Sequence, residues 1–281
     1  MKVGVIFSTY NSPEWLTKVL WGYEQQTDRD FEVIIADDGS GATTAEVIEQ
    51  FRQRGRLALR HVWHEDRGFR KCEILNKAIM ATDNDYLIFS DGDCVPRNDF
   101  VAQHKSRAKP GRFLAASCQR LTLPVSHAIT ESDIASGRAF NGYWLHRQGQ
   151  PFSSKQIRMF LGGWTSELLN RITTTEGSFS GGNSSVWKAD IVSVNGFDER
   201  MEHGGLDAEL GYRLINRGIR PLQIRYSAIC LHLEHSRGYI RPEVRAANLR
   251  IRTETVQQRL AWTSHGIRKG DENALPLHRV A

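Results

Sequence analysis

The sequence predicts an α/β protein built on a mostly parallel sheet with helices on both faces. Three observations predict it. Short apolar runs recur through the first hundred residues, segments of helical period separate them, and polar or acidic residues close three of the runs. The length, 281 residues, suits one α/β body with an attached subdomain better than two full domains.

Taken in order, residues 3–8 form the first apolar strand. Ser12-Pro13-Glu14 then reads as a helix start, with Ser as N-cap, Pro in the first turn and an acid beside it. Trp15, Leu16, Val19, Leu20 and Tyr23 follow at helical spacing. Residues 31–36 are a second strand, and Val47, Ile48 and Phe51 mark the next helix. Residues 57–63 are a third strand. Residues 69–80 are helical, with Cys72, Leu75 and Ile79 on one stripe, and residues 86–89 are a fourth strand. Beyond Pro96 the rhythm loosens. Residues 113–116 read as a strand, whereas residues 124–178 lack clear period, too long a stretch to be structureless in a compact domain. Part of that stretch is expected to be helical or a functional loop. A helix over residues 206–217 stops at Gly218, and residues 222–232 read as one strand.

Composition excludes several classes. The chain is 40% hydrophobic and 25% charged, as in ordinary globular proteins. Cys72, Cys94, Cys118 and Cys230 are scattered without CxxC pairing, so separate reduced thiols are expected rather than a disulfide framework or a zinc site. No signal-peptide pattern precedes the first strand, and no apolar run approaches the roughly 20 residues that cross a bilayer. A cytoplasmic protein is expected. Residues 236–270 carry +6, enough to account for the chain's formal charge of +5: Arg237, Arg241, Arg245, Arg250, Arg252, Arg259, Arg268 and Lys269 face only Glu243 and Glu254. A basic helical tail over residues 236–281 offers either a solvated helix face or peripheral contact with an anionic membrane surface. No nucleic-acid motif accompanies the charge, so nucleic acid is not an expected partner.

In open α/β sheets, ligands bind beyond the carboxyl ends of the strands. Three strand ends here deliver polar groups to that rim: Ser8-Thr9-Tyr10-Asn11, Asp37-Asp38-Gly39-Ser40 and Asp91-Gly92-Asp93. Paired carboxylates flanking a glycine, at the mouth of an apolar strand, can share a divalent cation with a diphosphate. Read alone, Asp91-Gly92-Asp93 is equally an acidic β-turn, and Asp37-Asp38 equally an Asx turn.

The order and spacing of these motifs resemble the family 2 glycosyltransferases of the GT-A fold. Asp66-Arg67-Gly68-Phe69-Arg70 with Asn76 is similar to that family's nucleotide-side segment. Gly181-Gly182-Asn183-Ser184-Ser185, Gly196-Phe197-Asp198-Glu199 and the run from Gly204 to Leu214 resemble its acceptor half, and also β-1,4-galactosyltransferases and chondroitin-type polymerases. The resemblance covers about residues 3–235. It implies a nucleotide-sugar half over residues 1–100 and an acceptor and catalytic half over residues 101–235.

The resemblance also implies roles. Asp38 would contact uracil. Asp93 would be the main ligand of Mn²⁺ or Mg²⁺, and Asp91 would face ribose or metal. Thr9, Tyr10, Asn11, Arg70, Asn76 and Gly92 complete the expected nucleotide-sugar contacts. Asp207 would be the catalytic base, with Glu209 competing for that role or touching the acceptor, beside Gly182 and Asn183. One histidine of His232-Leu233-Glu234-His235 would complete the metal shell, His232 being favoured. In a continuing strand the two rings would face opposite sides. Trp164, as an aromatic face in the irregular middle, is a candidate to stack on an acceptor sugar. Leu206 departs from the family's frequent Glu before Asp207, which leaves acceptor-sugar contacts open.

Together these expectations describe a metal-dependent inverting hexosyltransferase. It would move a hexose or N-acetylhexosamine from a UDP-sugar to a saccharide or glycolipid hydroxyl in bacterial polysaccharide or lipopolysaccharide synthesis. The rivals are a sugar nucleotidyltransferase, a dinucleotide oxidoreductase and a non-catalytic carbohydrate-binding protein. The first lacks its Gly- and Arg-rich loop after strand one, and the second lacks GxGxxG.

Overall fold

Residues 1–173, 175–235 and 241–270 are described by the structure, a computed structural model of the chain. Ten strands are named here: β1 Val3–Thr9, β2 Glu32–Asp37, β3 Ala58–Trp63, β4 Tyr86–Asp91, β5 Cys94–Pro96, β6 Arg112–Ala115, β7 Gln119–Arg120, β8 Ser184–Trp187, β9 Arg220–Gln223 and β10 Cys230–His232. Seven form one sheet in the order β3-β2-β1-β4-β8-β6-β9. The first three pairings and the β6–β9 pairing are parallel, while β8 runs antiparallel to both β4 and β6. The sheet is therefore mostly parallel and continuous across the two halves read in the sequence.

Side-chain alternation explains why helices cover both faces. Val5 and Phe7 of β1, Val33 and Ile35 of β2, and Tyr86 and Ile88 of β4 join one core with Leu16, Val19, Leu20 and Tyr23 of the helix Pro13–Glu24. Ile6, Ile34, Leu87 and Phe89 point the other way, into a second core with Cys72, Leu75 and Ile79 of the helix Lys71–Met80. A strand buried on both faces reads as an unbroken apolar run, which is why these three were visible in the sequence.

The chain winds from β1 outward through β2 to β3, then returns to place β4 on the other side of β1. Strand order thus reverses between β1 and β4, and the crevice beyond their carboxyl ends is where such sheets receive ligands. A smaller sheet, β5-β10-β7, closes the far wall of that crevice.

One expectation is corrected and two are sharpened. The run over residues 222–232 is two strands: β9 pairs with β6 in the large sheet, a turn follows at Ile224–Ser227, and β10 pairs with β5 and β7. The aperiodic stretch is largely helical, in short pieces: Leu123–Ala128, Glu131–Ala135, Gly142–Arg147 and Gly163–Ile172 among them. Each is too short to display a helical period, and several are set by caps instead, such as the Thr130–Asp133 box and Asn141. The tail does contain a helix, Pro242–Gln257, but one side of it is packed: Asn248 and Thr255 are buried. Arg237 lies outside the described residues, as do residues 271–281 of the tail. Among the described residues, no helix is long and apolar enough to cross a membrane.

Candidate active site

The crevice beyond β1 and β4 is a cavity of about 850 Å³, and Asp38, Asp93 and Asp207 all line it. Its floor is tight. The Gly92 N–H donates to the Ser8 carbonyl at 2.9 Å, and a Cβ at residue 92 would sit 2.6 Å from that oxygen. Only glycine lets the β4 tip cross the β1 tip here.

At one end, Thr9 and Tyr10 line the cavity beside Asp38. The Thr9 hydroxyl is buried without a hydrogen-bond partner, so a donor or acceptor group can be received there. Tyr10 donates to Asp66 at 2.8 Å. Asp38 accepts the Arg70 N–H at 2.9 Å and bonds His64 Nε2 at 2.7 Å. Burial raises its carboxyl despite those bonds.

At the centre, Asp91 and Asp93 leave β4 with Gly92 between them. Asp93 Oδ2 lies 3.0 Å from His235 Nε2 and 3.7 Å from His232 Nε2. Burial alone would raise the Asp93 carboxyl, but the His235 hydrogen bond and the charge of His232, His235 and Lys71 hold it below its ordinary value. The opposed facing expected for the two histidines does not occur. β10 ends at His232, the chain leaves the strand, and the rings stack at 5.8 Å with an interplanar angle of 18°. Asp93, His232 and His235 can each turn a ligand atom onto one ion, all within 4.8 Å of one another. A carboxylate and imidazoles suit Mn²⁺ or a similar divalent ion.

Opposite this group stands Asp207, in the first turn of the helix Leu206–Asn216. Its Oδ1 is buried with no hydrogen-bond partner. Burial drives its carboxyl up, the Lys71 ammonium and the Gly181 N–H pull it down, and Asp91 pushes it up again; the result is about 6. A cavity-lining carboxyl that titrates near neutrality can take a proton during reaction. Between the acids sits Lys71, whose ammonium bonds Asp91 Oδ1 at 2.7 Å. Burial opposes its charge, but the fields of Asp91, Asp207 and Asp93 outweigh burial and raise it. Lys71 is the cavity cation that the sequence reading missed. Its only signal was adjacency to the Phe69-Arg70 segment.

Gly182 lines the cavity, and its narrowness is measurable: an added Cβ would lie 3.1 Å from Asp91 Oδ2. Other expected contacts stand elsewhere. Asn11 holds the loop after β2 by receiving the Gly41 N–H at 2.9 Å and donating its own N–H to Ser40. Arg70 turns its guanidinium to Glu73 at 2.9 Å. Asn76 is buried and clamps Phe197 and Glu199. Asn183 is buried against His104 and the Ala228 carbonyl. Glu209 is 1% exposed, forms a two-pronged pair with Arg213 at 2.7 and 2.8 Å, and accepts from Thr255, so it faces away from the cavity. Trp164, 76% exposed on the helix Gly163–Ile172, is not among the residues lining the cavity.

Comparison with known proteins places this geometry. Residues 4–153 match the family described as Glycosyl transferase family 2. Validoxylamine A glucosyltransferase of Streptomyces hygroscopicus subsp. jinggangensis is 28% identical over 258 residues, covering 84% of this chain and 56% of that protein. The chain spans about half the length of the curated relatives it matches first. Two solved structures share the GT-A fold. One is the Pyrobaculum calidifontis mannosyltransferase with GDP-Man and Mn²⁺, at TM-score 0.57 and 20% identity over 85% of this chain and 58% of that one. The other is Staphylococcus aureus TarS 1–349 with UDP-GlcNAc, at TM-score 0.63 and 16% identity over 90% and 65%. With a match over more than half of its length, this chain belongs to glycosyl transferase family 2.

Proposed function

We propose that the chain is an inverting hexosyltransferase that moves a hexose or N-acetylhexosamine from a UDP-sugar to an acceptor hydroxyl, with Asp207 as base. One observation carries the proposal: Asp38, Asp93 and Asp207 share one cavity, in which burial raises the Asp207 carboxyl to about 6. In the displacement, the acceptor oxygen attacks the anomeric carbon from the Asp207 side. The new C–O bond forms as the bond to the diphosphate breaks, the electron pair leaves with UDP, and the acceptor proton passes to the Asp207 carboxylate. Attack opposite the leaving group inverts the centre, and no covalent sugar–enzyme intermediate is needed.

Asp93, with His232 and His235, fits a Mn²⁺ or Mg²⁺ ion. Such an ion, when bound, supplies positive charge against the departing diphosphate. Lys71 adds a fixed cation to the same end of the cavity and keeps Asp91 in place. Thr9, Tyr10 and Asp38 receive the nucleoside. A uridine donor is supported by the family resemblance and by TarS, which binds UDP-GlcNAc; the mannosyltransferase bound to GDP-Man makes a guanosine donor the competing choice. A saccharide or glycolipid of bacterial polysaccharide or lipopolysaccharide synthesis is the proposed acceptor class.

The test is nucleoside-diphosphate release by purified protein with Mn²⁺, a panel of UDP-sugars, GDP-mannose and a set of saccharide acceptors. UDP release that depends on donor and acceptor supports the reading. Pyrophosphate release from a nucleoside triphosphate would instead identify a nucleotidyltransferase, and binding of saccharide without turnover a lectin-like protein. Asp207→Asn should abolish transfer and retain UDP binding; retained turnover in that variant refutes the base assignment.

A further inference from the structure

Three of the four cysteines meet behind the cavity wall. Cys94 opens β5, Cys118 precedes β7 and Cys230 opens β10, so each strand of the small sheet contributes one thiol. Cys118 Sγ lies 3.6 Å from Cys94 Sγ and 2.9 Å from Cys230 Sγ, and all three sulfurs fall within 4.8 Å of one another. The expectation of scattered, unrelated thiols is corrected here. Spacing in sequence hid a cluster that strand pairing creates.

A second, independent observation concerns charge. Arg158 is 5% exposed, and its guanidinium caps the cluster, donating to the Cys118 carbonyl at 2.8 Å and to the Ser117 carbonyl at 3.2 Å. Its Nε has no partner, and among the described residues no carboxylate pairs with it. A buried cation held only by neutral oxygens is costly unless an anion stands nearby. Burial lowers the Arg158 guanidinium, and Cys230, Cys118 and Tyr226 are the ionisable groups whose charge would offset it.

We propose that Cys94, Cys118 and Cys230 form a site for one thiophilic divalent cation, Zn²⁺ in the first instance, adjoining the oxygen- and nitrogen-lined site at Asp93, whose Oδ1 accepts from Cys94 Sγ at 3.4 Å. On binding, three S–H protons leave as three sulfur–metal bonds form, and an oxygen ligand fills the fourth position. Three thiolates and one Zn²⁺ carry a net charge of −1, which the Arg158 guanidinium balances. Sulfurs around tetrahedral zinc stand about 3.8 Å apart at the usual bond length. The Cys94–Cys118 separation already matches, and Cys230 has to open outward by about 1 Å. Soft thiolates select such a cation over Mn²⁺ or Mg²⁺. The ion would pin β5, β7 and β10 together, and with them Asp93 and His232. The site stands on its own residues and does not depend on the transferase reading.

The experiment uses full-length protein, reduced and stripped of metal, then titrated with Co²⁺ as a spectroscopic probe and with Zn²⁺. One equivalent of Co²⁺ should give a thiolate-to-metal charge-transfer band in the near ultraviolet, and Mn²⁺ should give none. Zn²⁺ should protect three of the four thiols from a thiol reagent. Cys118→Ser and Cys230→Ser should each weaken Zn²⁺ binding by more than about 100-fold. Cys72→Ser should leave binding unchanged, because Cys72 lies apart, donating to the Met201 carbonyl. X-ray absorption on Zn²⁺-loaded wild-type protein reads the same site without any variant, and sulfur scatterers near about 2.3 Å are expected. A shell of only nitrogen and oxygen overturns the proposal. So does a thiol count unaffected by Zn²⁺, or a Cys118–Cys230 disulfide found by mass spectrometry in protein handled without oxidant. None of these readouts requires turnover, so they stand or fall separately from the glycosyltransferase assignment.

Discussion

Lys71 shows what a residue's surroundings can impose on it. It begins a helix, where the macrodipole disfavours a cation. Its place makes sense only through Asp91 and Asp207, which belong to other elements. The same group governs the base. With Asp207 near 6, kcat/KM should fall as pH drops through that region, because the protonated carboxyl cannot accept a proton. Lys71→Met removes the charge that pulls Asp207 down, so the acid limb of the pH profile should move to higher pH. Turnover should fall on the order of 100-fold, as for other lost electrostatic partners. An unmoved limb would show that Lys71 does not act on the base. Stability gives a second readout. Asp207 rises from an ordinary 3.8 to about 6, so the folded state binds the extra proton between those values and is destabilised above them. Asp207→Asn should therefore raise stability by about 3 kcal/mol at pH 8, a gain that vanishes near pH 4. Thermal melts at both values measure it. The proximity of Asp207 to the acidic strand tips was expected from its motif, but its titration was not, since that arises from burial beside Lys71, Asp91 and Gly181.

At the scale of elements, β1, β2 and β4 were read from apolar runs that burial on both faces produces and that need no partner to be seen, while the half-exposed β3 was read from its shorter apolar pattern. β8 escaped because its centre is polar. Ser184 and Ser185 are fully buried, and Ser185 Oγ bonds Tyr86 OH at 2.7 Å and His104 Nδ1 at 2.8 Å. Those partners come from β4 and from the helix Phe100–Arg107, so only tertiary pairing makes a strand of serines stable. Two elements carry tests. Gly92→Ala would drive a methyl into the Ser8 carbonyl, separate the β1 and β4 tips and displace Asp91 and Asp93. Nucleotide binding and turnover should both drop at least about 10-fold, measured by calorimetry and product release. In the helix Leu206–Asn216, Arg213 is fully buried on Glu209. Arg213→Met leaves that carboxylate unpaired and should cost about 3–5 kcal/mol in urea unfolding. An unchanged midpoint would show that the pair contributes nothing to the fold.

The whole molecule joins its two halves through one sheet and closes the catalytic end with its tail. Asn248, buried on the helix Pro242–Gln257, points its amide at the Glu202, His203 and Gly204 carbonyls, at 3.1, 3.1 and 2.8 Å. Those carbonyls belong to the loop that delivers Asp207. The charge count in the tail suggested a solvated or membrane-facing helix, and Arg241, Arg245 and Arg250 are indeed exposed. The opposite side nevertheless holds the base loop. Asn248→Ala should lower kcat by roughly 10-fold with little change in donor KM, because it loosens the Asp207 loop and not the nucleotide end. Equal loss in both parameters would contradict that division. Cosedimentation with anionic and neutral vesicles measures the exposed arginine face separately.

The sequence alone determined the sheet's inner strands, the acidic tips of β2 and β4, and the motif order that carries the family, because apolar alternation and strand-end chemistry are local properties. The tertiary structure decided which polar side chains share the cavity. It turned Glu209, Asn76 and Asn183 inward to hold the framework, set Lys71 between two carboxylates, and gathered three distant cysteines at one small sheet. Those outcomes depend on register, crossover and burial, which bring together residues of separate elements, Cys118 and Cys230 being 112 positions apart, and no short stretch of chain encodes such a meeting.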